Sequence, residues 1–366
     1  MKPMDSTRMR RKKRKQRTSL VANIIFCLIT LVSLTACLVL VLQNYTLKND
    51  EVQAMAQLAE YEKQSQSYRY TQSDLNSYAE RTAADAREEE RSLVIEELKQ
   101  GIIDAESATD AFRKFFPEDV VVYADGGYHF FPISDTLKKH TYVYDNFKLR
   151  DDGQIEYVND GDEVISVKGI DVSRYQGNIN WSKVAADGVE YAFIRAGIRG
   201  STEGNLVEDQ YFESNMKGAL NHDIAVGVYF FSQAITEAEA VEEASMVLDL
   251  IAPYEVTYPI VIDIEEVTSD NARTKGLTQE EYTKNCIAFC ETIKNAGYTP
   301  MIYGNLKSFM IMLDMEQLED YEKWFAYYND PVYFPYQFSI WQYSSEGAVG
   351  GISTDVDMNV CMKKFG

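Results

Sequence analysis

The 366-residue chain contains only three histidines and five cysteines. His129, His140 and His222 do not fall at the end of any predicted strand, which argues against Ser-His-Asp catalysis and against a histidine-based metal site. Cys286 and Cys290 lie four residues apart on a predicted helix, a poor geometry for a disulfide. We therefore expect small buried thiols instead of a disulfide framework, and neither a metal nor a cofactor.

Positive charge is scarce beyond the N-terminus. The first 17 residues hold nine Lys and Arg against one Asp, a net +8, so the chain total of −21 leaves −29 for residues 18–366. Such an acidic body lacks the basic face of a nucleic-acid-binding protein. The basic cluster could in principle be a nuclear or nucleic-acid patch. Its position directly before an apolar run favours a role in membrane topology.

Residues 20–42 form a run of 23 residues without a charge, long enough to span a bilayer. The positive flank, residues 1–19, predicts a cytoplasmic N-terminus with the rest of the chain outside a bacterial cell. The run is longer than the apolar part of a signal peptide, so we predict an uncleaved single-pass anchor. Residues 34–37 resemble a lipoprotein signal, but apolar residues follow Cys37, and lipid modification is the alternative.

Glycine and proline are absent from residues 43–100. This composition favours helix and predicts a helical stalk over residues 43–101, ended by Gly101. A heptad register contains many polar residues, which leaves dimerisation of the stalk open. Residues 102–165 are predicted to form a small aromatic-rich α+β domain with two hairpins. We expect its aromatic rings to form the core of a small domain that packs on its neighbour, with sugar binding as the alternative.

From Val167 onward, strands alternate with amphipathic helices. The helices fit at residues 209–221, 237–250 and 278–296, and they become short or absent after the fifth strand. This pattern predicts an α/β fold, an incomplete TIM-like (β/α) barrel over residues 166–366. The eight strand candidates are 167–172, 191–196, 225–231, 260–265, 300–303, 323–327, 338–343 and 354–358.

One of these strands ends in two acids. The sequence Pro-Ile-Val-Ile-Asp-Ile-Glu at 259–265 places Asp263 and Glu265 two residues apart, on the same side of the strand. Two carboxyl groups there oppose folding, but they suit glycoside hydrolysis, which needs one protonated and one charged carboxyl group. A solvated acidic turn is the alternative, because Glu266 follows.

Further polar and aromatic residues occupy the carboxyl ends of the strands, where barrel enzymes carry their active sites. Acids would transfer protons, aromatic faces would stack on sugars, and Gln and Arg would bind hydroxyl and acetamido groups. Packing at the barrel mouth is the alternative for the aromatic residues, and an ion pair with a site acid is the alternative for Arg195. The candidates are the acids Asp171, Asp263, Glu265 and Asp357 and the substrate-binding residues Tyr229, Arg195, Tyr303, Tyr327, Trp341 and Gln342.

Six segments, in order, resemble the glycoside hydrolase family 25 muramidases, the Chalaropsis-type lysozymes. The resemblance covers about residues 167–366. The segments are Lys-Gly-Ile-Asp-Val-Ser-Arg-Tyr-Gln-Gly at 168–177 with Ile-Asn-Trp at 179–181, Tyr-Ala-Phe-Ile-Arg-Ala-Gly at 191–197, Gly-Val-Tyr-Phe-Phe-Ser at 227–232, Asp-Ile-Glu at 263–265, Trp-Gln-Tyr at 341–343 and Val-Asp-Met-Asn at 356–359.

The resemblance implies a role for each acid. Glu265 matches the general acid/base, Asp263 the residue that orients the substrate's acetamido group, and Asp171 and Asp357 two other active-site acids. It implies cleavage of the β-1,4 bond between N-acetylmuramic acid and N-acetylglucosamine, with the acetamido group as nucleophile. Arg195 departs from the pattern, since many relatives have Lys there.

The leading hypothesis is a membrane-anchored hydrolase whose partners are peptidoglycan glycan strands and, through residues 20–42, the membrane. Nucleic acid is not an expected partner. The alternative from a different class is a glycan-binding or scaffolding protein of the cell wall with weak or absent hydrolysis. A third reading, a metal-dependent hydrolase with a carboxylate site, would be excluded by insensitivity to chelators.

Overall fold

The computed structural model describes residues 6–67, 70–103, 107–329 and 331–365. The chain divides into two compact units, Met1–Glu97 and Leu98–Gly366. Helix α1 (Ser6–Ser67) and most of α2 (Gln72–Ile103) make up the first unit. The second unit contains the remaining elements.

The apolar run lies within α1. An 18-residue window between Arg17 and Gln64 has a mean hydropathy of 2.9, and none of it is buried. Among the described residues this is the one helix long and apolar enough to cross a membrane, although a signal sequence near an N-terminus meets the same criterion. The membrane anchor and its topology stay a prediction.

Residues 43–101 are largely helical, as predicted, with two details that the sequence did not indicate. Tyr70 and Thr71 are not helical, and Thr71 caps α2: its hydroxyl oxygen accepts from the Asp74 N–H at 3.2 Å, and the Asp74 carboxylate accepts from the Thr71 N–H at 2.7 Å. Such reciprocal capping starts a new helix without glycine or proline. Gly101 does not end α2, which continues to Ile103, because one glycine destabilises a helix by only about 1 kcal/mol.

Both predicted hairpins of residues 102–165 are present. The first turns at Asp125 and Gly126, which have φ of 53° and 77°, as tight hairpin turns require. Each hairpin is antiparallel, and a short helix precedes the first one. The elements are α3 (Ala108–Phe115), β1 (Asp119–Ala124), β2 (Gly127–Pro132), β3 (Phe147–Leu149) and β4 (Ile155–Tyr157).

Eight strands close into a barrel, because the first strand pairs with both the second and the last. An additional short strand, β7 (Leu206–Glu208), pairs with the end of β6. All eight predicted strands are found, with ends that differ by a few residues. They are β5 (Val167–Val172), β6 (Tyr191–Arg199), β8 (Ala225–Phe231), β9 (Ile260–Asp263), β10 (Pro300–Asn305), β11 (Glu322–Ala326), β12 (Ile340–Gly347) and β13 (Val356–Cys361).

The last strand departs from a regular TIM-like barrel. β13 runs antiparallel to both of its neighbours, β12 and β5, whereas the other neighbouring barrel strands are parallel. Parallel pairing needs a crossover of about a dozen residues or more. Only residues 348–355 separate β12 from β13, so the chain turns back directly.

The outer ring of helices is incomplete, as expected. Four helices lie between the early strands, and in the described part of the chain only a π-helical turn, Ser308–Met312, lies between β10 and β11. Cys286 and Cys290 are free and buried on the last helix, which confirms the expected core thiols. The helices are α4 (Trp181–Ala186), α5 (Phe212–Leu220), α6 (Glu237–Ile251) and α7 (Gln279–Asn295).

Residues 107–165 pack against the barrel where its helices are missing. The connection between β11 and β12 supplies the contact surface: the Val121 N–H donates to the Tyr333 hydroxyl at 3.0 Å, and the Tyr142 hydroxyl donates to the Phe338 carbonyl at 2.7 Å. Side chains of β1 join the same hydrophobic core as the barrel. The appended segment therefore covers a flank that a helix covers elsewhere in the barrel.

Replacing Phe338 with Ala tests this packing. Phe338 is fully buried, and its ring lies 5.1 Å from that of Tyr142. The cavity left by the substitution should lower the free energy of unfolding by about 3–5 kcal/mol, measured by urea denaturation. Tyr144 is a half-exposed aromatic residue of the appended segment. Tyr144→Ala should therefore change the free energy of unfolding by less than about 1 kcal/mol. Equal losses in the two variants would contradict the packing.

Candidate active site

The carboxyl ends of the parallel barrel strands surround an open cleft of about 340 Å³. The antiparallel β13 contributes its amino end instead, which corrects the predicted placement of Asp357 at a carboxyl end. Eight of the ten sequence-based candidates line it. Successive residues on a strand point to opposite faces, and these eight occupy inward-facing positions on their strands or just beyond them. The eight are Asp171, Arg195, Tyr229, Asp263, Glu265, Tyr303, Gln342 and Asp357.

Tyr327 and Trp341 do not line the cleft, which corrects their placement at the barrel mouth. Trp341 precedes Gln342 on β12 and therefore points outward, where its ring lies 5.1 Å from that of Phe147. Its Nε1 donates to the Tyr327 carbonyl at 2.7 Å. The Tyr327 hydroxyl accepts a hydrogen bond from Arg113 at 2.6 Å. Both side chains belong to the layer between the barrel and its appended segment.

Several residues of the cleft were not among the candidates. Tyr328 lines it in place of Tyr327, and the alternation along β11 would have favoured Tyr328, since Trp324 faces inward. Asn359, two residues after Asp357, also faces inward, because it contacts Asp171. A further group follows β5 in the motif at 168–177: Arg174, Tyr175 and Gln176.

Asp171 is held by two side-chain amides. Gln342 Nε2 and Asn359 Nδ2 each donate to its Oδ2 at 2.8 Å. Trp324 Nε1 donates to Asn359 Oδ1 at 2.7 Å and so fixes the orientation of that amide. Burial raises the pKa of Asp171 to about 6, and the two amide hydrogen bonds oppose the rise.

Two tyrosines orient the other amide. The hydroxyls of Tyr303 and Tyr328 donate to Gln342 Oε1 at 2.8 and 2.7 Å. The amide nitrogen of Gln342 is therefore directed at Asp171. The result is a chain of neutral donors that fixes one acid of the cleft without a positive charge.

Asp263 is a buried acid of the cleft with one oxygen, Oδ1, that has no hydrogen-bond partner among the described residues. Burial, followed by the charges of Glu265 and Asp171, raises the pKa of Asp263 well above its ordinary value. An unpaired buried acceptor is unfavourable in the free protein, so Asp263 is ready to accept a hydrogen bond from a ligand.

The other two acids also retain protons more strongly than free carboxyl groups. Burial raises the pKa of Glu265, and the Tyr303 hydroxyl opposes that rise. Burial, then the charges of Asp171 and Glu265, raises the pKa of Asp357 to about 8. Because like charges in one site cannot all ionise, the cleft holds at least one protonated carboxyl group near neutral pH.

Arg195 pairs with a residue outside the cluster of four acids. Its Nε and Nη2 donate to Asp209 Oδ2 at 2.8 and 2.7 Å, and the same oxygen accepts from the Arg174 N–H at 2.9 Å. The alternative interpretation, an ion pair between Arg195 and one of the four site acids, is therefore not found among the described residues. The guanidinium lies 5.1 Å from the centre of the Tyr175 ring, so Asp209 fixes an arginine that lines the cleft.

A closed α/β barrel that gathers acids, aromatic rings and amides at one end is the arrangement of a glycoside hydrolase. The family model for glycosyl hydrolases family 25 matches residues 170–352. The chain belongs to this family and is a glycoside hydrolase.

Similar proteins agree with the family assignment. The chain is 30% identical over 208 residues to Lysozyme M1 of Streptomyces globisporus, a match that covers 53% of this chain and 67% of the lysozyme. It is equally similar to the uncharacterized protein YegX of Escherichia coli K12, with 53% and 69% covered. The structure of the modular autolysin LytC from Streptococcus pneumoniae has a similar fold, with a TM-score of 0.50, 24% identity and coverage of 66% and 57%.

The raised pKa of Asp263 predicts a stability effect that depends on pH. An unfolded aspartate ionises near pH 4, whereas folded Asp263 keeps its proton, so the folded protein loses stability as pH rises above about 4 until its own pKa is passed. Asp263→Asn should therefore have a higher melting temperature than the parent at pH 8, by about 2–4 °C per kcal/mol. The difference should vanish near pH 3.

The matched control is Asp270→Asn, because the Asp270 side chain is 99% exposed. Its melting temperature should follow that of the parent at both pH values. A lower melting temperature of Asp263→Asn at pH 8 would contradict the repulsion inferred for the cleft.

Proposed function

We propose that the chain is a membrane-anchored peptidoglycan hydrolase that cleaves the β-1,4 bond between N-acetylmuramic acid and N-acetylglucosamine. The observation that carries the proposal is the cluster of four acids, Asp171, Asp263, Glu265 and Asp357, in one cleft with aromatic and amide side chains. The similarity to Lysozyme M1 supports it.

Glu265 is the general acid and base. It lies two residues beyond the end of β9 and lines the cleft, and burial keeps its carboxyl group protonated to higher pH than usual. It donates its proton to the glycosidic oxygen while the substrate's acetamido oxygen attacks the anomeric carbon and the bond to the leaving sugar breaks. The Glu265 carboxylate then takes a proton from water, which attacks the same carbon, opens the ring formed with the acetamido group and restores the acid.

Asp263 positions the acetamido group. Its unpaired Oδ1 accepts a hydrogen bond from the acetamido N–H, a donor that the free protein does not supply to it. This contact directs the acetamido oxygen at the anomeric carbon, and the dipole of the accepting oxygen stabilises the positive charge that develops on the acetamido nitrogen. Asp171, held by Gln342 and Asn359, stabilises the positive charge on the sugar ring, and Asp357 is a further acid of the site.

Mass spectrometry of digested peptidoglycan tests this role of Glu265. Full-length protein in detergent should generate new muramic-acid reducing ends from purified peptidoglycan. Glu265→Gln should lower their rate of formation by about 10²–10⁴-fold, since it cannot transfer a proton. Glu280→Gln, at an exposed position on α7, should retain the parent rate.

Other outcomes would identify a different function. New N-acetylglucosamine reducing ends would contradict the assigned bond. If no new ends formed while the protein still pelleted with the cell wall, the chain would be a glycan-binding scaffold.

The membrane anchor requires a separate test. The uncharged run at residues 20–42 should keep the full chain in the membrane pellet after alkaline carbonate extraction, whereas a variant lacking residues 1–42 should be soluble. Release of the full chain by carbonate, or recovery of the body in the medium without residues 1–42, would contradict an uncleaved anchor.

A further inference from the structure

A second groove, of about 360 Å³, lies next to the cleft. The loop between β9 and α7 contributes to both: Glu265 lines the cleft, and the next residue, Glu266, lines the groove. A ligand bound at Glu265 therefore has this groove as an immediate neighbour. Asp125, from the turn between β1 and β2, also lines it and lies outside the part of the chain that the family model matches.

Lys307 holds one side of the groove together. Its amine lies 2.6 Å from the carboxylate of Asp125 and 2.5 Å from that of Glu266. Its side chain is only 18% exposed, so both ion pairs are partly shielded from water. The bridge fixes the β1–β2 hairpin to the loop that carries Glu265, and the hairpin turn becomes a wall of the groove.

Lys275 supplies a second cation that is free to exchange partners. It pairs with Asp270 at 3.2 Å, and the two side chains are 63% and 99% exposed. An ion pair this exposed contributes little stability. A ligand carboxylate could therefore replace Asp270 at Lys275 with little loss.

The rest of the lining suits a peptide better than a sugar chain. Leu277, Ile311 and Met312 provide apolar surface, and Thr268 provides a hydroxyl group. Tyr282 is the one aromatic residue among the described lining residues, and its hydroxyl donates to the Thr274 carbonyl. Sugar recognition normally uses several aromatic faces, so this groove has the wrong chemistry for a longer glycan.

We propose that this groove binds the peptide stem of peptidoglycan; the inference rests on the proposed function. N-acetylmuramic acid carries its peptide on a lactyl ether, so a stem must leave the cleft over its rim. A stem bears free carboxylates, small methyl side chains and, where it contains a diamino acid, an amine. Lys275 binds a stem carboxylate, the apolar surface takes the methyl groups, and Glu266 and Asp125 attract the amine.

The test compares two substrates with the full-length protein in detergent. One is a preparation of uncross-linked glycan strands with stems, and the other is the same preparation after an amidase has removed them. The parent should show a kcat/KM about tenfold higher for strands with stems, a size typical of one charged contact. Lys275→Ala should lower this ratio to nearly 1, and Lys275→Arg should retain most of it.

Lys294→Ala is the matched control, because Lys294 is an equally exposed lysine on α7, paired with Glu291, that does not line the groove. It should keep the parent ratio. A parent ratio near 1, or an unchanged ratio in Lys275→Ala, would overturn the stem-binding proposal.

Failure of the proposed function would look different, since the parent would then cleave neither substrate. Calorimetry with a soluble muramyl tripeptide that ends in a diamino acid would then decide on the groove alone. Binding that weakens about tenfold in Lys275→Ala would support the groove, and no binding to the parent would overturn it.

Discussion

Four carboxyl groups share one cleft, and their mutual repulsion is the constraint on which this end of the barrel depends. Each group would be more favourable in water, so the packed barrel must hold it there. Asp171 and Asp357 face each other as register partners on β5 and β13, and Asp263 lies on β9, with Glu265 two residues further. Neutral amides offset part of the unfavourable burial at Asp171, whereas Asp263 keeps an unpaired oxygen. The arrangement stores the proton that glycoside hydrolysis needs.

The incomplete ring of helices explains the position of the appended segment. Where helices are missing beyond β10, residues 107–165 cover the barrel, and Trp341 and Tyr327 become part of the layer between them. The same packing brings the β1–β2 turn close to the loop after β9. Asp125 of this turn forms an ion pair with Lys307, which follows β10. A segment outside the family match therefore contributes Asp125 to the groove for which we propose binding of a peptide stem.

Local patterns in the sequence predicted the strands, the closed barrel and the four acids, because alternation and strand ends are local properties. Contacts between side chains on different elements leave no such local pattern in the sequence. The partner of Arg195 is Asp209, which lies across the β6–β7 hairpin and looked like the start of a helix. Trp341 and Gln342 were both chosen although neighbours on a strand face opposite ways. The antiparallel direction of β13 results from the short connection between β12 and β13. The break in the helix at Thr71 results from a capping pair of side chains, without the glycine or proline that usually marks such a break.

The proposed mechanism requires that burial keeps Glu265 protonated, and a carbon-13 NMR titration of the glutamate side-chain carboxyls measures this directly. The Glu265 resonance is identified by its absence from the spectrum of Glu265→Gln. We expect the Glu265 carboxyl group to titrate with a midpoint clearly above the ordinary value of 4.5. A midpoint at or below 4.5 would contradict the proposed mechanism, because Glu265 would then be ionised at neutral pH and have no proton to donate to the glycosidic oxygen.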